Sequence, residues 1–162
     1  MVTTLNEERA WAALRTVVDP EIPVLSIVEM RLISRLELDR ASITVHFTPT
    51  FAGCPAIAHI KERISESLLQ EGFETVRVET DYATAWSTDL LDASVKEKLR
   101  AFGVAPPGPV EPVLADALAR TVPCPMCGSA ATHLESAFGP TLCKQIFYCD
   151  GCRQSFERFK PL

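Results

Sequence analysis

The sequence predicts an α+β fold, in which a small three-stranded mixed sheet carries packed helices and is followed by an all-β C-terminal module. Three observations predict it. Helical and strand periodicities alternate along residues 1–104, four prolines crowd residues 105–112, and four of the six cysteines stand in two pairs after residue 121. Proline-rich segments neither continue a helix nor join a central strand. We therefore predict an α+β domain over 1–104, a linker over 105–120 and a separate module over 121–162.

The first predicted elements are a helix and two strands. A capping box, Thr4-Leu-Asn-Glu7, starts the helix, and Asp19-Pro20 ends it. Leu32–Leu38 is predicted to be the first strand. A turn at Asp39–Ala41 leads to a second strand over about 43–48, in which apolar and polar residues alternate so that one face is buried. The predicted inward-facing residues of the helix and the second strand are Trp11, Leu14, Val18, Ile43, Val45 and Phe47.

Residues 55–102 are predicted to add a helix, a third strand and a last helix. Pro55 suits the first position of a helix, which ends at Gly72. Phe73–Val78 has the pattern of a strand, and Asp89–Phe102 that of a helix. The inward-facing residues of these two helices are predicted to be Ile57, Ile60, Ile64 and Leu68, then Leu91, Val95, Leu99 and Phe102. The order α-β-β-α-β-α gives a three-stranded mixed sheet with packed helices.

The C-terminal module is defined by Cys124-Pro-Met-Cys127 and Cys149-Asp-Gly-Cys152. Each C-x-x-C turn lets two thiolates converge on one ion, and a hairpin that returns the second pair completes a tetrahedron. We therefore predict an all-β zinc ribbon in which these four cysteines bind Zn²⁺, with strands over 132–136, 145–149 and 155–159. Structural disulfides or buried free thiols are the alternative, and iron in place of zinc stays open.

Cys54 stands apart from the ribbon, in the loop Thr48-Pro-Thr-Phe-Ala-Gly-Cys-Pro55 between a strand and a helix. If Pro55 opens the helix, Cys54 lies beside its N-terminus, where the helix dipole and free N–H groups stabilise a thiolate. That position suits a metal ligand or a nucleophile. The alternative is a small buried thiol that fills a turn. Cys143, inside the ribbon, is surplus to a four-ligand site, and its role stays open.

A second loop, Asp19-Pro-Glu-Ile-Pro23, carries Asp19 and Glu21 between two prolines, and one interpretation is that it faces Cys54. The alternative is a helix stop combined with an Asx turn. The sequence has no phosphate-binding glycine loop, no G-x-S-x-G and no H-E-x-x-H, so no catalytic residue is assigned.

Composition argues against several classes of function. The net charge of −5 offers no basic footprint for phosphate backbones, so we expect no nucleic-acid partner. No apolar run approaches the roughly 20 residues of a membrane span, so we expect no membrane partner. The N-terminus is polar and charged without an apolar signal core, which predicts a cytoplasmic protein with reduced cysteines.

The two loops together carry a resemblance. Asp19-Pro-Glu-Ile-Pro-Val-Leu-Ser-Ile27 and Thr48-Pro-Thr-Phe-Ala-Gly-Cys-Pro-Ala56 resemble the signature of small iron–sulfur assembly domains of the metal–sulfur cluster biosynthesis family. The ribbon, with Ser136-Ala-Phe-Gly-Pro-Thr-Leu-Cys-Lys144, narrows the resemblance to the D-subunit family of phenylacetyl-CoA epoxidases, which are ring 1,2-epoxidases. One departure is Arg31, where that family has Gly. Arg adopts a positive φ at a higher cost than Gly, so the form of this turn stays open.

The resemblance implies an accessory subunit of a multicomponent monooxygenase in phenylacetate degradation, not catalytic alone, that aids iron or iron–sulfur maturation of the oxygenase or its reductase. It implies that Cys54, with Asp19 and Glu21, holds iron or a cluster transiently. One thiolate is too few for a stable site, which leaves sharing across a homodimer open. The implied partners are the other epoxidase subunits. Two alternatives remain: an interaction module that clamps oxygenase subunits without carrying metal, and a thiol-dependent enzyme that uses Cys54.

Overall fold

A computed structural model of the chain describes residues 6–110 and 121–162. The chain divides into two compact units, the first ending at Trp86 and the second beginning at Ser87. The first unit combines helices with a three-stranded sheet, and the second is rich in strands, so the predicted α+β class is confirmed.

The first unit contains α1 (Glu7–Leu14), β1 (Ile33–Asp39), β2 (Ser42–Phe47), α2 (Ile57–Gln70) and β3 (Thr75–Thr80). Its sheet has the order β1-β2-β3, with β1 antiparallel and β3 parallel to β2, as the predicted mixed sheet requires. Alternation along β2 buries Ile43, Val45 and Phe47 on one face. The apolar stripe of α2 is likewise buried at Ile60, Ile64 and Leu68.

The first helix is shorter than the sequence predicts. Its N-cap is Asn6, whose side chain accepts a hydrogen bond of 2.9 Å from the Arg9 backbone N–H. Thr4 of the predicted capping box lies outside the described residues. The helix ends at Leu14, and Val18 is 45% exposed, so placing Val18 on the buried face was wrong. Val18 instead forms an isolated antiparallel bridge with Ser26 after the end of the helix.

The turn at Arg31 keeps a left-handed backbone. Arg31 has φ 57°, a conformation that a side chain with a Cβ adopts at a cost. The backbone N–H groups on both sides are held: Arg31 donates to the Val28 carbonyl at 3.0 Å and Leu32 to the Ile27 carbonyl at 2.9 Å. Arg31 therefore holds a positive φ in this turn although it is not glycine.

The second helix begins later than Pro55. Its first residue is Ile57, and Ala56 before it already has helical angles, φ −74° and ψ −13°, without a side-chain cap. Cys54 to Ile57 form a tight turn in which the Ile57 N–H donates to the Cys54 carbonyl at 3.3 Å. Cys54 thus lies in a turn that precedes the helix rather than at its cap.

The second unit contains α3 (Ala93–Ala101), β4 (Val104–Ala105), β5 (Thr132–Ser136), β6 (Lys144–Cys149) and β7 (Gln154–Phe159). Its sheet has the order β4-β7-β6-β5, with β4 parallel to β7 and the other pairs antiparallel. The three predicted ribbon strands are present within a residue of their expected bounds. The short strand β4 was not expected from the sequence.

The last predicted helix, Asp89–Phe102, was wrong at both ends. A 3₁₀ turn covers Thr88–Leu90, and Asp92, with extended angles, is the N-cap of α3. Phe102 is 46% exposed rather than buried. The helix also belongs to the second compact unit.

The first residues of the proline-rich segment pack within the second unit. Ala105 and Pro107 are buried, and the Val110 N–H donates to an Asp89 carboxylate oxygen at 3.3 Å. Residues 111–120 of the predicted linker lie outside the described residues. The division of the chain into domains at residues 104 and 121 stays a prediction.

Candidate metal centre and candidate thiol site

The four ribbon cysteines converge on one point. The Sγ atoms of Cys124 and Cys152 are 3.8 Å apart, those of Cys127 and Cys149 are 3.6 Å apart, and all four lie within 4.8 Å of one another. None of them forms a disulfide. A zinc ion held by four sulfurs at about 2.3 Å gives sulfur–sulfur separations of about 3.8 Å, so this donor set fits a tetrahedral metal ion.

Two turns present these thiols. In the first, the Cys124 N–H donates to the Ser129 carbonyl at 3.0 Å and the Gly128 N–H to the Cys124 carbonyl at 2.9 Å, with Gly128 at φ 73°. In the second, Cys149 ends β6, and the Arg153 N–H returns to its carbonyl at 2.8 Å. The pairing of β6 with β5 and β7 brings the two turns together.

The two turns approach each other closely at Gly151. A Cβ built on Gly151 would lie 2.8 Å from the Ser129 Oγ, 2.9 Å from its Cβ and 3.5 Å from the Cys149 Sγ. Real Cβ atoms essentially never come within 3.0 Å of another heavy atom in this way, as the two Ser129 contacts would require. Glycine is therefore required here by the close approach of Ser129 and not by its backbone angle. The site therefore depends on a residue that is not a ligand.

The metal centre is built on a small apolar core. Cys124 and Cys149 are buried in one cluster with Val122, Phe147 and Phe156. The Phe147 and Phe156 rings stack with centroids 5.8 Å apart. Small ribbon modules of this kind take much of their folding free energy from a bound metal.

Three of these thiols differ in their readiness to ionise. The Cys152 backbone N–H, which donates to the sulfur, lowers the pKa of Cys149 to about 7. Burial, followed by the neighbouring thiols, raises the pKa of Cys152 to about 12. The Ser129 backbone N–H lowers the pKa of Cys127, but burial and the Cys149 thiol outweigh it, so that pKa is raised. Of these three thiols, Cys149 is therefore the one that ionises most readily.

Cys54 and Asp19 line one small cavity in the first unit. Its volume is about 20 Å³, and Leu32, Phe47 and Thr50 are among its other lining residues. Cys54 is half-buried, and its N–H donates to the Phe51 carbonyl at 3.1 Å. A cavity of this size holds about one water molecule. The structure thus brings the predicted acid and the predicted thiol to the same place.

The acid loop is held by Asp19 itself. Its Oδ1 accepts hydrogen bonds from the backbone N–H groups of Glu21 at 2.8 Å and Ile22 at 3.0 Å, which is an Asx turn. Asp19 is only 8% exposed. Glu21 is exposed and does not line the cavity, so the structure does not bring it to Cys54.

Sequence patterns did not reveal the apolar residues on the loops beside this cavity. Val18, Val24 and Phe51 are 45%, 36% and 46% exposed, on the two loops that carry Asp19 and Cys54. Sequence alone does not show that these residues are exposed, because large apolar side chains are usually buried. In the structure the Phe51 ring lies close to Gly53, where a Cβ would be 2.9 Å from the ring.

Cys143 is not part of the four-thiol group. Its Sγ lies 3.2 Å from the Thr141 Oγ1, and its carbonyl accepts a hydrogen bond of 2.9 Å from the Lys160 N–H. Burial lowers the pKa of the Lys160 ammonium, and the neighbouring Cys143 opposes that shift. Within residues 6–110 and 121–162, the four ribbon cysteines are the one group of three or more His, Cys, Asp or Glu side chains close enough to hold a metal.

The fold and the two sites define a protein that joins an iron–sulfur assembly type domain to a zinc ribbon. A family model described as an iron–sulfur cluster assembly protein matches residues 7–80, and one described as the PaaD zinc beta ribbon domain matches residues 109–160. A relative from Escherichia coli (strain K12), provisionally named as the D subunit of 1,2-phenylacetyl-CoA epoxidase, is 38% identical over 93% of this chain and 90% of its own length. The chain belongs to this D-subunit family.

Other relatives support the assignment of the first unit. An Fe-S protein maturation auxiliary factor from Porphyromonas gingivalis is 31% identical over 53% of this chain and 83% of its own length. A conserved hypothetical protein from Thermotoga maritima has a TM-score of 0.54 at 26% identity, covering 61% of this chain and 98% of that one. A domain of unknown function from Bacillus anthracis, at 24% identity, has the same TM-score and covers 57% of this chain and 90% of that one, which shows the fold. Among the described residues, no helix is long and apolar enough to cross a bilayer.

Proposed function

We propose that this protein is an accessory subunit of a phenylacetyl-CoA ring-epoxidising monooxygenase system in the cytoplasm. It would aid iron or iron–sulfur maturation of the oxygenase or its reductase, without being catalytic alone. The observation that carries the proposal is the meeting of Cys54 and Asp19 at one cavity, in a domain that matches iron–sulfur assembly proteins. The names of two relatives, an epoxidase subunit and a maturation factor, support the same role.

The cargo would bind at the mouth of the cavity. The enclosed space of about 20 Å³ is too small for a cluster, whereas a half-buried thiolate at its edge can ligate an iron atom that stays outside. One carboxylate oxygen of Asp19 already accepts hydrogen bonds from the backbone of its own loop, so Asp19 would fix the loop that faces Cys54. Its negative charge would also stabilise the iron electrostatically. Glu21 is exposed on the same loop and does not line the cavity, so it would move to the iron site only when an ion is bound there.

A site with one thiolate is suited to transfer. One cysteine leaves iron coordination incomplete, so the remaining ligands would come from a second copy of the chain or from the client. Transfer would then be ligand exchange without net oxidation: a client thiolate replaces Cys54 at iron, and the Cys54 sulfur regains a proton. A stable four-cysteine site would hold its cluster too firmly for this purpose.

The ribbon would hold a resident Zn²⁺ through Cys124, Cys127, Cys149 and Cys152. Zinc bound to four thiolates has no open position for substrate, so the ion would be structural. Its role would be to keep the second unit folded, and the other epoxidase subunits are the proposed partners of the protein.

Co-expression of the epoxidase subunits with wild-type or Cys54→Ser protein tests the role of the thiol. We expect lower iron content and a lower ring-epoxidation rate with Cys54→Ser, while Cys143→Ser, which changes the other cysteine outside the four-thiol cluster, serves as the matched control. Equal iron and equal rates with wild type and Cys54→Ser would reject the carrier role. That result would favour the alternative of a clamp that binds oxygenase subunits without carrying metal.

A further inference from the structure

The second unit has an open apolar groove beside the metal centre. It is lined by Phe102 and Val104 from the end of α3 and from β4, by Met126 from the first cysteine turn, and by side chains of β6 and β7 that include Ile146 and Phe156. Its volume is about 330 Å³, which lies in the range of sites that take an organic ligand or a few side chains.

Two large apolar side chains at the groove are exposed. Phe102 is 46% and Met126 57% exposed, although both are residues that a folded unit normally covers. Met126 stands between two of the four converging thiols, Cys124 and Cys127, so its backbone is fixed whenever the metal is bound. A flexible thioether on a rigid turn is a common feature of protein-binding surfaces, because it adapts to the side chains of a partner.

The occupied metal centre would give the end of the groove at Met126 a negative charge. Glu157 is the charged residue among those that line the groove, and its carboxylate pairs at 2.8 Å with the buried Lys144 ammonium, so this pair contributes no net charge. A Zn²⁺ ion held by the four thiolates would add about −2, and Cys127, which is exposed, follows Met126 directly. An occupant of the groove would therefore place a cation near Met126.

These features oppose an acyl-CoA as the occupant. The phosphates of CoA are anionic, and among the described residues no Lys or Arg lines the groove to receive them, while its one charged lining residue is Glu157. A peptide with apolar side chains and one basic residue would match both the apolar walls of the groove and the negative charge of the occupied metal centre. The groove is open to solvent, so the backbone of such a segment could stay hydrated while its side chains enter the groove.

We propose that this groove is a docking site for a segment of another epoxidase subunit, which inserts one or two apolar side chains between Phe102 and Met126 and places a Lys or Arg beside the metal centre. The inference rests on the proposed function for the identity of the partner. The site itself is assigned from the groove, the two exposed side chains and the charge of the centre.

The charge at position 126 provides the test. Purified full-length protein, with zinc content confirmed, is titrated with purified oxygenase and reductase subunits of the same system, and the dissociation constants are compared for wild type, Met126→Glu and Met126→Lys. Both changes remove an apolar contact, but only lysine repels the cation of the occupant. We expect Met126→Lys to weaken binding by about tenfold or more and Met126→Glu by clearly less.

Leu142→Lys is the matched control. Leu142 is 47% exposed in the same unit but does not line the groove, so its change should leave the dissociation constant within about twofold. A photoreactive Phe102→p-benzoylphenylalanine variant identifies the occupant. The expected cross-linked peptide comes from another epoxidase subunit and has a Lys or Arg within about four residues of an apolar side chain.

The outcomes separate the docking site from the function. If wild type binds one of the subunits and both Met126 variants bind equally well, the groove is not the docking site and the accessory role stands. If wild type binds none of the subunits, the accessory role and the docking site both fail. Cross-linking to a second copy of this chain, to an acidic peptide, or binding of phenylacetyl-CoA in the groove would also overturn the proposal.

Discussion

The indole N–H of Trp86 donates a hydrogen bond of 2.8 Å to the backbone carbonyl of Met30, and both residues are buried. This bond joins the end of the first unit to the turn that contains Arg31. Because Trp86 lies outside the turn, its hydrogen bond to the Met30 carbonyl fixes the orientation of the peptide plane between Met30 and Arg31. The turn therefore keeps its left-handed residue even though the side chain there is not glycine.

Replacing Arg31 tests the cost of that conformation. Both Arg31→Gly and Arg31→Val remove the arginine side chain, but only valine has a branched Cβ that disfavours φ 57°. We expect the free energy of unfolding of Arg31→Val to be about 1–2 kcal/mol lower than that of Arg31→Gly. Chemical denaturation followed by Trp fluorescence measures the difference. Equal stabilities would mean that the turn relaxes to a negative φ.

The close approach at Gly151 should control the metal affinity of the ribbon. In Gly151→Ala the new methyl group meets Ser129 at 2.8 Å, so the two cysteine turns must separate and zinc binding should weaken by about tenfold or more. In Gly108→Ala the nearest atom is the end of the Arg158 side chain at 3.4 Å, an ordinary contact distance, so this variant should bind zinc like wild type. Competition with a chromophoric chelator compares the two. An unchanged zinc affinity in Gly151→Ala would show that the two cysteine turns accommodate the methyl group without separating.

Zinc affinity should fall as the pH falls. Metal binding requires all four thiolates, and a free cysteine, with a pKa of about 8.5, is mostly protonated below about pH 8, so protons compete with the ion. We therefore expect the apparent zinc affinity to fall by at least about tenfold between pH 8 and pH 6. Competition with a chromophoric chelator at the two pH values measures the change. An affinity that stays constant across this range would contradict thiolate ligation.

Metal removal should loosen the second unit alone. Because the metal would join the two cysteine turns that flank these strands, we expect a chelator to abolish hydrogen-exchange protection in β5, β6 and β7 first. Val104 and Ala105 pair with β7 and should lose protection with them. The amides of β1, β2 and β3 belong to the other compact unit and should keep theirs. Retained protection in β4 after chelation would place that strand outside the metal-dependent part of the fold.

The parts that sequence predicted well depend on local periodicity or on covalent spacing. Alternation in Ile43–Phe47 and the two C-x-x-C pairs each determine their own geometry, so the buried strand face and the thiol cluster followed directly. The cavity shared by Asp19 and Cys54 was reached through family resemblance, since no local pattern links residues 35 positions apart.

The parts that sequence missed depend on tertiary contacts. Phe102 fits an apolar helical stripe, but α3 ends before it, so its ring faces a groove instead of a core. Pro55 suits the first position of a helix, but Cys54–Ile57 form a separate turn before it, so α2 begins only at Ile57. Val104 and Ala105 form a strand only because β7 supplies the edge that they pair with.

That last pairing has a kinetic consequence. Val104 pairs with Glu157, more than fifty positions later, and the pairing is parallel, so it cannot form as a hairpin. The loop-closure entropy of this contact opposes its early formation, whereas β5, β6 and β7 form from neighbouring turns. The sheet would thus pass through a three-stranded stage in which the edge of β7 is uncovered. During that interval an unpaired strand edge is open to other chains, and the short strand β4 acts as the cover that ends the exposure.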